Sequence, residues 1–200
     1  MASTSYLLSF NAIQAALWST VLYQAGTSLT AAVGVEQFFH EHFFFLRWTQ
    51  TLSLLDVLHS WLRISKSGPL VTALQTGSRL AIVCLWVHCE AAHQTLAFYG
   101  CVLAWSLSEV IRSVYYIVSL VAGEPELIPP VLVWIRYSGF IVLYPVGVAS
   151  ELLCVRKVLL TSSTLRWAYW CLVFVYLPGF PYLYGHMLSL RSRKLKLKHD

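Results

Sequence analysis

With 200 residues, of which 58% are hydrophobic and only 12% charged, the chain has too few charged side chains to cover a water-facing surface. Soluble domains carry about 25% charged residues, so the composition excludes an ordinary soluble domain and predicts an integral membrane protein. The net charge of +5 does not indicate nucleic-acid binding, because five of the fourteen basic residues lie in the last ten positions and the others are scattered among apolar segments.

Six apolar segments are long enough to cross about 30 Å of hydrocarbon, which takes about 20 helical residues. They cover residues 6–25, 43–62, 69–86, 95–121, 130–155 and 167–188, and glycine, proline and hydroxyl residues separate them. Only helices and closed barrels satisfy backbone hydrogen bonds in lipid, and the alternating pattern of a barrel is missing. We therefore predict an all-α integral membrane bundle of six transmembrane helices, with one membrane domain at 1–188 and a basic tail at 189–200.

The first predicted span and the segment before the second span have distinct features. No basic region precedes the first apolar segment, so we expect that segment to remain as a span and not to be cleaved as a signal peptide. Residues 35–45 (VEQFFHEHFFF) group aromatic rings around acidic residues, which predicts an interfacial lead-in to the second span. His40 and His42 beside Glu41 do not match a closed zinc pattern, so we predict no metal site there.

The distribution of basic residues predicts the orientation of the spans. With six spans, both termini lie on the same side of the membrane. Seven basic residues lie on that side, in the tail and in the loop after the second span, and three basic residues on the opposite side count against this orientation. The positive-inside rule thus favours cytoplasmic termini. The larger set is Arg63, Lys66, Arg191, Arg193, Lys194, Lys196 and Lys198, and the smaller set is Arg156, Lys157 and Arg166. Lys196 and Lys198 also resemble a KxKxx signal for retrieval to the endoplasmic reticulum, the alternative being an ordinary basic flank.

Charged side chains inside the predicted spans are costly in hydrocarbon, so we expect them to converge on a shared interior and to pair there. They are Asp56, Arg79, Glu109, Arg112, Arg136 and Glu151. Glu109 and Arg112 are three residues apart and share a helix face, as do Asp56 and His59. The five cysteines have no metal-binding spacing, and we expect small core residues that stay reduced.

The segment at 134–151 (WIRYSGFIVLYPVGVASE) carries the candidate chemistry. Tyr137, Tyr144 and Glu151 are spaced seven residues apart, about two helical turns, so they fall on one stripe with Arg136 beside it. Pro145 is positioned to kink this helix. A buried carboxylate is a general acid or base and a phenol is a proton donor, a combination suited to eliminating water. Serine-hydrolase and P-loop motifs are missing, and a cysteine phosphatase starting at His88-Cys89 would need arginine where Thr95 stands.

Five ordered motifs resemble the very-long-chain (3R)-3-hydroxyacyl-CoA dehydratases, once called protein tyrosine phosphatase-like proteins. They are LLDVLHS (54–60), VTALQTGSRL (71–80), AWSLSEVIRSVYY (104–116), the segment at 134–151, and YLPGFPYLYGHM (176–187). The resemblance implies a six-span enzyme of the endoplasmic reticulum that removes water from a 3-hydroxyacyl-CoA in the third step of fatty acid elongation. It implies no metal or redox cofactor. The implied partners are the elongase, the 3-ketoacyl-CoA reductase, the trans-2-enoyl-CoA reductase and membrane lipid.

The resemblance also implies site residues. It places the catalytic pair on Tyr144 and Glu151, without deciding which of the two handles which proton. The candidate substrate-binding residues are Arg136, Tyr137, Arg79 and Arg112. For Arg136 the alternatives are CoA phosphates or a pair with Glu109, and for Arg79 and Arg112 a role in holding the bundle together is favoured. Asp56 stands where the family usually has Glu, and Ser113 where it usually has Tyr. A catalytically silent scaffold or a small lipid transporter is the alternative class of function.

Overall fold

The computed structural model describes residues 2–65, 67–161 and 166–196, and all regular elements in these ranges are helices. The prediction of an all-α fold is confirmed. The helices are α1 (Ala2–Thr30), α2 (Val35–Leu52), α3 (Leu54–Trp61), α4 (Pro69–His88), α5 (Glu90–His93), α6 (Leu96–Ala122), α7 (Pro130–Ser138), α8 (Phe140–Thr161) and α9 (Arg166–Lys196), with a 3₁₀ turn at Pro125–Leu127.

Local chemistry explains several helix ends. Pro69 and Pro130 occupy the first positions of α4 and α7, where the missing backbone N–H costs nothing. The Thr95 hydroxyl caps α6 by accepting a hydrogen bond from the backbone N–H of Ala97. Gly123 ends α6 with a φ of 73°, a left-handed conformation that glycine adopts without steric cost.

Within the described residues, four helical stretches are long and apolar enough to cross a membrane, namely Pro69–His88, Leu96–Ala122, Pro130–Thr161 and Trp170–Leu195. They correspond to the last four predicted spans, whereas the predicted count of six is not confirmed and stays a prediction. Amide side chains such as Asn11 and Gln14 lower the hydropathy of α1. The second predicted span is divided at Ser53 between α2 and α3, so neither piece has the full length and apolar composition.

The centre of the bundle is α6, which packs between α1 and α8. A hydrophobic core fills the half of the bundle around the start of α6, where Phe98 and Val102 are fully buried. The helices α6 and α8 come close where Gly100 faces Ser150, since a Cβ atom on Gly100 would overlap the Ser150 hydroxyl. The other half of the bundle contains a cavity.

The segment at 35–45 is the start of helix α2, and Phe38 is buried against the rings of Phe98 and Tyr99. Phe38 therefore contributes to the core, while Phe44 is exposed. The interfacial position of this segment stays a prediction. Lys66, residues 162–165 and residues 197–200 lie outside the described ranges, and with them part of the orientation count and of the retrieval signal.

Candidate active site

A cavity of about 150 Å³ lies among α4, α6, α7, α8 and α9. Five of the six candidate site residues line it, from four different helices: Arg79, Arg112, Arg136, Tyr144 and Glu151. The remaining candidate, Tyr137, is not part of the lining. The expected convergence of intramembrane polar residues on one interior space is thus a feature of the fold.

Glu151 is held at the cavity wall by two hydrogen-bond donors from other helices. The indole Nε1 of Trp105 on α6 donates to Oε1 of Glu151 at 2.7 Å, and the Tyr176 hydroxyl on α9 donates to Oε2. The carboxylate is only 5% exposed. A carboxylate has about four acceptor positions, so two remain for a substrate.

Trp105 and Tyr176 were not among the sequence candidates. Both lie inside motifs that carry the family resemblance, AWSLSEVIRSVYY and YLPGFPYLYGHM. Their position inside these motifs was the available sequence signal for a role in the site. Neither spacing nor periodicity relates Trp105 or Tyr176 to Glu151. They are 46 and 25 residues away from it in the chain.

Tyr144 is held at the cavity wall through its aromatic ring. Its ring stacks on Phe180, with ring centroids 5.2 Å apart and planes 5° from parallel, and on Tyr184. Within the described residues the hydroxyl has no hydrogen-bond partner, and it lies within electrostatic range of Glu151 and Arg79. The stacking orients the phenol at the cavity wall and leaves its O–H available to a substrate.

This transmembrane segment consists of two helices that meet at Gly139. Helix α8 includes Pro145, where the kink stays a prediction, and the break between α7 and α8 falls at Gly139, whose backbone angles remain helical. Tyr144 and Glu151 therefore share one uninterrupted helix, about 10 Å apart along its axis. Tyr137 lies before the break, and its hydroxyl is 3.5 Å from that of Tyr115 on α6.

A buried ion network ties α3, α4 and α6 together beside the cavity. Arg112 binds Asp56 with two hydrogen bonds, of 2.9 and 2.6 Å, and donates a third to Glu109 at 2.7 Å. The other oxygen of Glu109 pairs with Arg79, which also donates to Ser108 at 3.2 Å. Two cations balance two anions, which supports a structural role for both arginines.

Arg136 differs from these arginines because it has no carboxylate partner in the described ranges. Its guanidinium lies 6.0 Å from the ring centre of Tyr116 and 5.9 Å from that of Tyr137. Glu109 is occupied by Arg79 and Arg112. The structure thus contradicts the alternative that pairs Arg136 with Glu109.

The positions that depart from the family pattern have different surroundings. Asp56 reaches Arg112 with both oxygens in spite of its shorter side chain. Ser113 is fully buried, and its hydroxyl has no partner among the described side and main chains. His59 is held between α3 and α1 by the Tyr6 hydroxyl at 2.8 Å, as expected for an interior histidine.

The cysteine and metal predictions concern the remaining reactive side chains. All five cysteines are free, but only Cys101 and Cys154 are buried, while Cys84 and Cys171 are exposed. The expectation of core positions therefore holds for two of the five. In the part of the chain that the structure describes, no group of three or more His, Cys, Asp or Glu side chains is placed to hold a metal ion.

Comparison with known proteins identifies the family. The chain is 34% identical to a "Probable very-long-chain (3R)-3-hydroxyacyl-CoA dehydratase" of Schizosaccharomyces pombe, over 94% of this chain and 91% of that protein. It is 32% identical to a dehydratase of Caenorhabditis elegans (98% and 96% covered) and 31% identical to human dehydratase 2 (96% and 82% covered), whose names give the same activity. No solved structure matches the chain. The family model "Protein tyrosine phosphatase-like protein, PTPLA" matches residues 50–197, and the chain belongs to this family.

Proposed function

We propose that this protein is a very-long-chain (3R)-3-hydroxyacyl-CoA dehydratase, which converts its substrate to the trans-2-enoyl-CoA in the third step of fatty acid elongation. The relatives that match over most of the chain carry this name. The observation in the structure that supports it best is that Tyr144 and Glu151 line one cavity between membrane-spanning helices. The reaction needs one base and one acid, and Glu151 and Tyr144 are the cavity residues that we assign to these two roles.

Glu151 is the base in this proposal. Its two oxygens both accept hydrogen bonds, from Trp105 and Tyr176, an arrangement suited to the ionised carboxylate, which is an acceptor only. The carboxylate removes a proton from C2 of the substrate, next to the thioester carbonyl. The two donors fix the orientation of the carboxylate before the substrate arrives, which lowers the reorganisation that the transition state requires.

Tyr144 is the acid. Its unpartnered hydroxyl donates a proton to the C3 oxygen as the C3–O bond breaks, so the hydroxyl group leaves as water. The electron pair of the broken C2–H bond forms the C2=C3 double bond. The proton on Glu151 then returns to the Tyr144 phenolate directly or through the released water, which restores both groups. The reaction uses side chains of this chain, and CoA enters as part of the substrate.

The cellular setting completes the proposal. We place the protein in the endoplasmic reticulum membrane with six spans and cytoplasmic termini, where α1 and the α2–α3 pair supply the first two spans. Neither meets the length and hydropathy of the other four, but α1 packs along α6 over much of its length and contains no charged residue. The proposed partners are the elongase and the two reductases that supply the 3-hydroxyacyl-CoA and consume the enoyl product.

The test is turnover of a long-chain (3R)-3-hydroxyacyl-CoA by the purified protein in lipid nanodiscs, with the enoyl product measured by mass spectrometry. We expect Tyr144→Phe and Glu151→Gln each to lower kcat by at least about 100-fold, the lower end of typical general acid–base contributions. Matched controls are Tyr182→Phe and Glu126→Gln, which change exposed residues outside the cavity. Normal turnover by either cavity variant would refute the assignment. Binding of acyl-CoA by the wild type without turnover would indicate a scaffold.

A further inference from the structure

One end of the cavity has a positive charge that the buried ion network does not neutralise. Arg136 lines the cavity and is partly buried. Its neighbours are the faces of two tyrosine rings, and no ion pair joins it to a carboxylate within the described ranges. A partly buried cation without an anion is a candidate for ligand binding, because its charge is only weakly screened by solvent.

The last turns of α9 bring two more cations to the same end. The guanidinium Nε of Arg191 donates to the hydroxyl of buried Ser138 at 3.0 Å, two residues beyond Arg136 on α7. Lys194 lies within electrostatic range of the hydroxyl of Tyr137, the residue next to Arg136. Met187, one turn before Arg191, lines the cavity. Arg136 lines this end of the cavity, and Arg191 and Lys194 lie close to it without being part of the lining.

Negative charge at this end is sparse. Glu124 and Glu126 lie in the exposed connection before α7, and the ion pairs of the described residues include neither of them. Asp56 is already bound by Arg112 through both oxygens. Arg136, Arg191 and Lys194 thus present more positive charge than the side chains around them compensate.

We propose that Arg136, Arg191 and Lys194 form a binding site for the phosphate groups of CoA, here called the phosphate collar. The inference rests on the proposed function and adds the site that recognises the head of the substrate. Arg136 precedes Tyr144 by eight residues, about 12 Å along a helix axis. The pantetheine arm of CoA separates the phosphates from the thioester, so phosphates in the collar direct the thioester along the cavity toward Tyr144 and Glu151. Guanidinium groups suit phosphate because they donate paired hydrogen bonds.

The experiment compares two substrates with the same 3-hydroxyacyl group, one a CoA thioester and the other a pantetheine thioester without phosphates. Arg136→Gln and Arg191→Gln should each raise KM for the CoA substrate by about tenfold, since hydrogen bonds between charged groups contribute on the order of 1.4 kcal/mol or more. Their kcat should stay the same, because the phosphates do not change during the reaction. For the pantetheine substrate, KM and kcat should not respond to either substitution.

Arg193→Gln is the matched control. It removes the same charge from the same turns of α9, from an exposed arginine that donates to the Ser189 carbonyl at 3.4 Å. It should change KM by less than about twofold, the size of a typical surface effect. If Arg136→Gln and Arg191→Gln leave the ratio of kcat/KM for the two substrates unchanged, the phosphate collar is wrong.

Two further measurements test the phosphate collar without turnover and distinguish CoA phosphates from lipid phosphates. In the first, free CoA and pantetheine are titrated onto the nanodisc protein by calorimetry. Tighter binding of CoA that Arg191→Gln weakens supports the collar even if the dehydratase activity fails. In the second, the same kinetics are repeated with phosphatidylcholine alone and with added phosphatidylserine. If the substitutions change only the response to phosphatidylserine, the net negative lipid headgroup is the ligand and the proposal is overturned.

Discussion

Replacing Tyr176 with phenylalanine removes one hydroxyl group from the cavity wall and leaves the aromatic ring in place. The lost interaction is the hydrogen bond to Oε2 of Glu151, between side chains that are 9% and 5% exposed. Hydrogen bonds to charged groups contribute about 1.5–3 kcal/mol. Since 1.36 kcal/mol is tenfold in rate, we expect kcat to fall by roughly 10- to 100-fold.

The role of Tyr176 determines whether the substitution changes kcat or KM. Tyr176 lines the cavity, and its hydroxyl donates to the catalytic base. Because the substitution removes the hydroxyl that orients the base and keeps the ring in the cavity wall, we expect KM to stay within about twofold while kcat falls. A misaligned Glu151 also slows proton abstraction relative to the other steps. The variant should therefore show a larger primary isotope effect on kcat with a substrate deuterated at C2, which a general loss of folding does not produce.

The assay measures the enoyl product from protiated and deuterated 3-hydroxyacyl-CoA with nanodisc protein. Tyr182→Phe is the control, since it makes the same change at an exposed position on the same helix. A thermal melt verifies that both variants are folded. If folded Tyr176→Phe keeps the wild-type kcat and isotope effect, Tyr176 does not position the base, and the proposed reason for the donor pair on Glu151 is refuted.

Two predictions concern stability. Arg112→Ala removes the cation that buried Glu109 and partly buried Asp56 share, and it should lower the free energy of unfolding by about 3 kcal/mol. The variant is compared in detergent with exposed Arg156→Ala, and equal melting temperatures would contradict a structural ion network. Burial lowers the pKa of the His93 imidazole from its ordinary value of 6.5. Below pH 6.5 the imidazole therefore binds a proton more readily in the unfolded chain than in the folded one. The stability that neutral His93 contributes is lost as the pH falls below 6.5. The melting temperature should fall over that window in the wild type and less in His93→Gln, with exposed His88→Gln as the control.

Local features of the chain were sufficient for the membrane class, the helical fold and the polar stripe that contains Tyr144 and Glu151, and the family resemblance narrowed that stripe to this pair. The scarcity of charges and the length of the apolar segments depend only on composition, and the spacing of Tyr144 and Glu151 depends only on helical geometry. The kink expected at Pro145 stays a prediction. A proline in a helix removes one hydrogen bond, and helix α8 includes Pro145 within its length.

Contacts between helices depended on the packing of the whole bundle. The sequence predicted that the buried charges would pair, but it left open whether Glu109 meets Arg136, and the structure assigns Glu109 to Arg79 and Arg112. It also gave no reason to connect Trp105 or Tyr176 with Glu151. Periodicity relates residues on one helix to each other, whereas the rotation and sliding of one helix against the next follow from side chains along its full length. For this protein the catalytic candidates were therefore readable from one segment, and the groups that hold them were fixed by how the helices assemble.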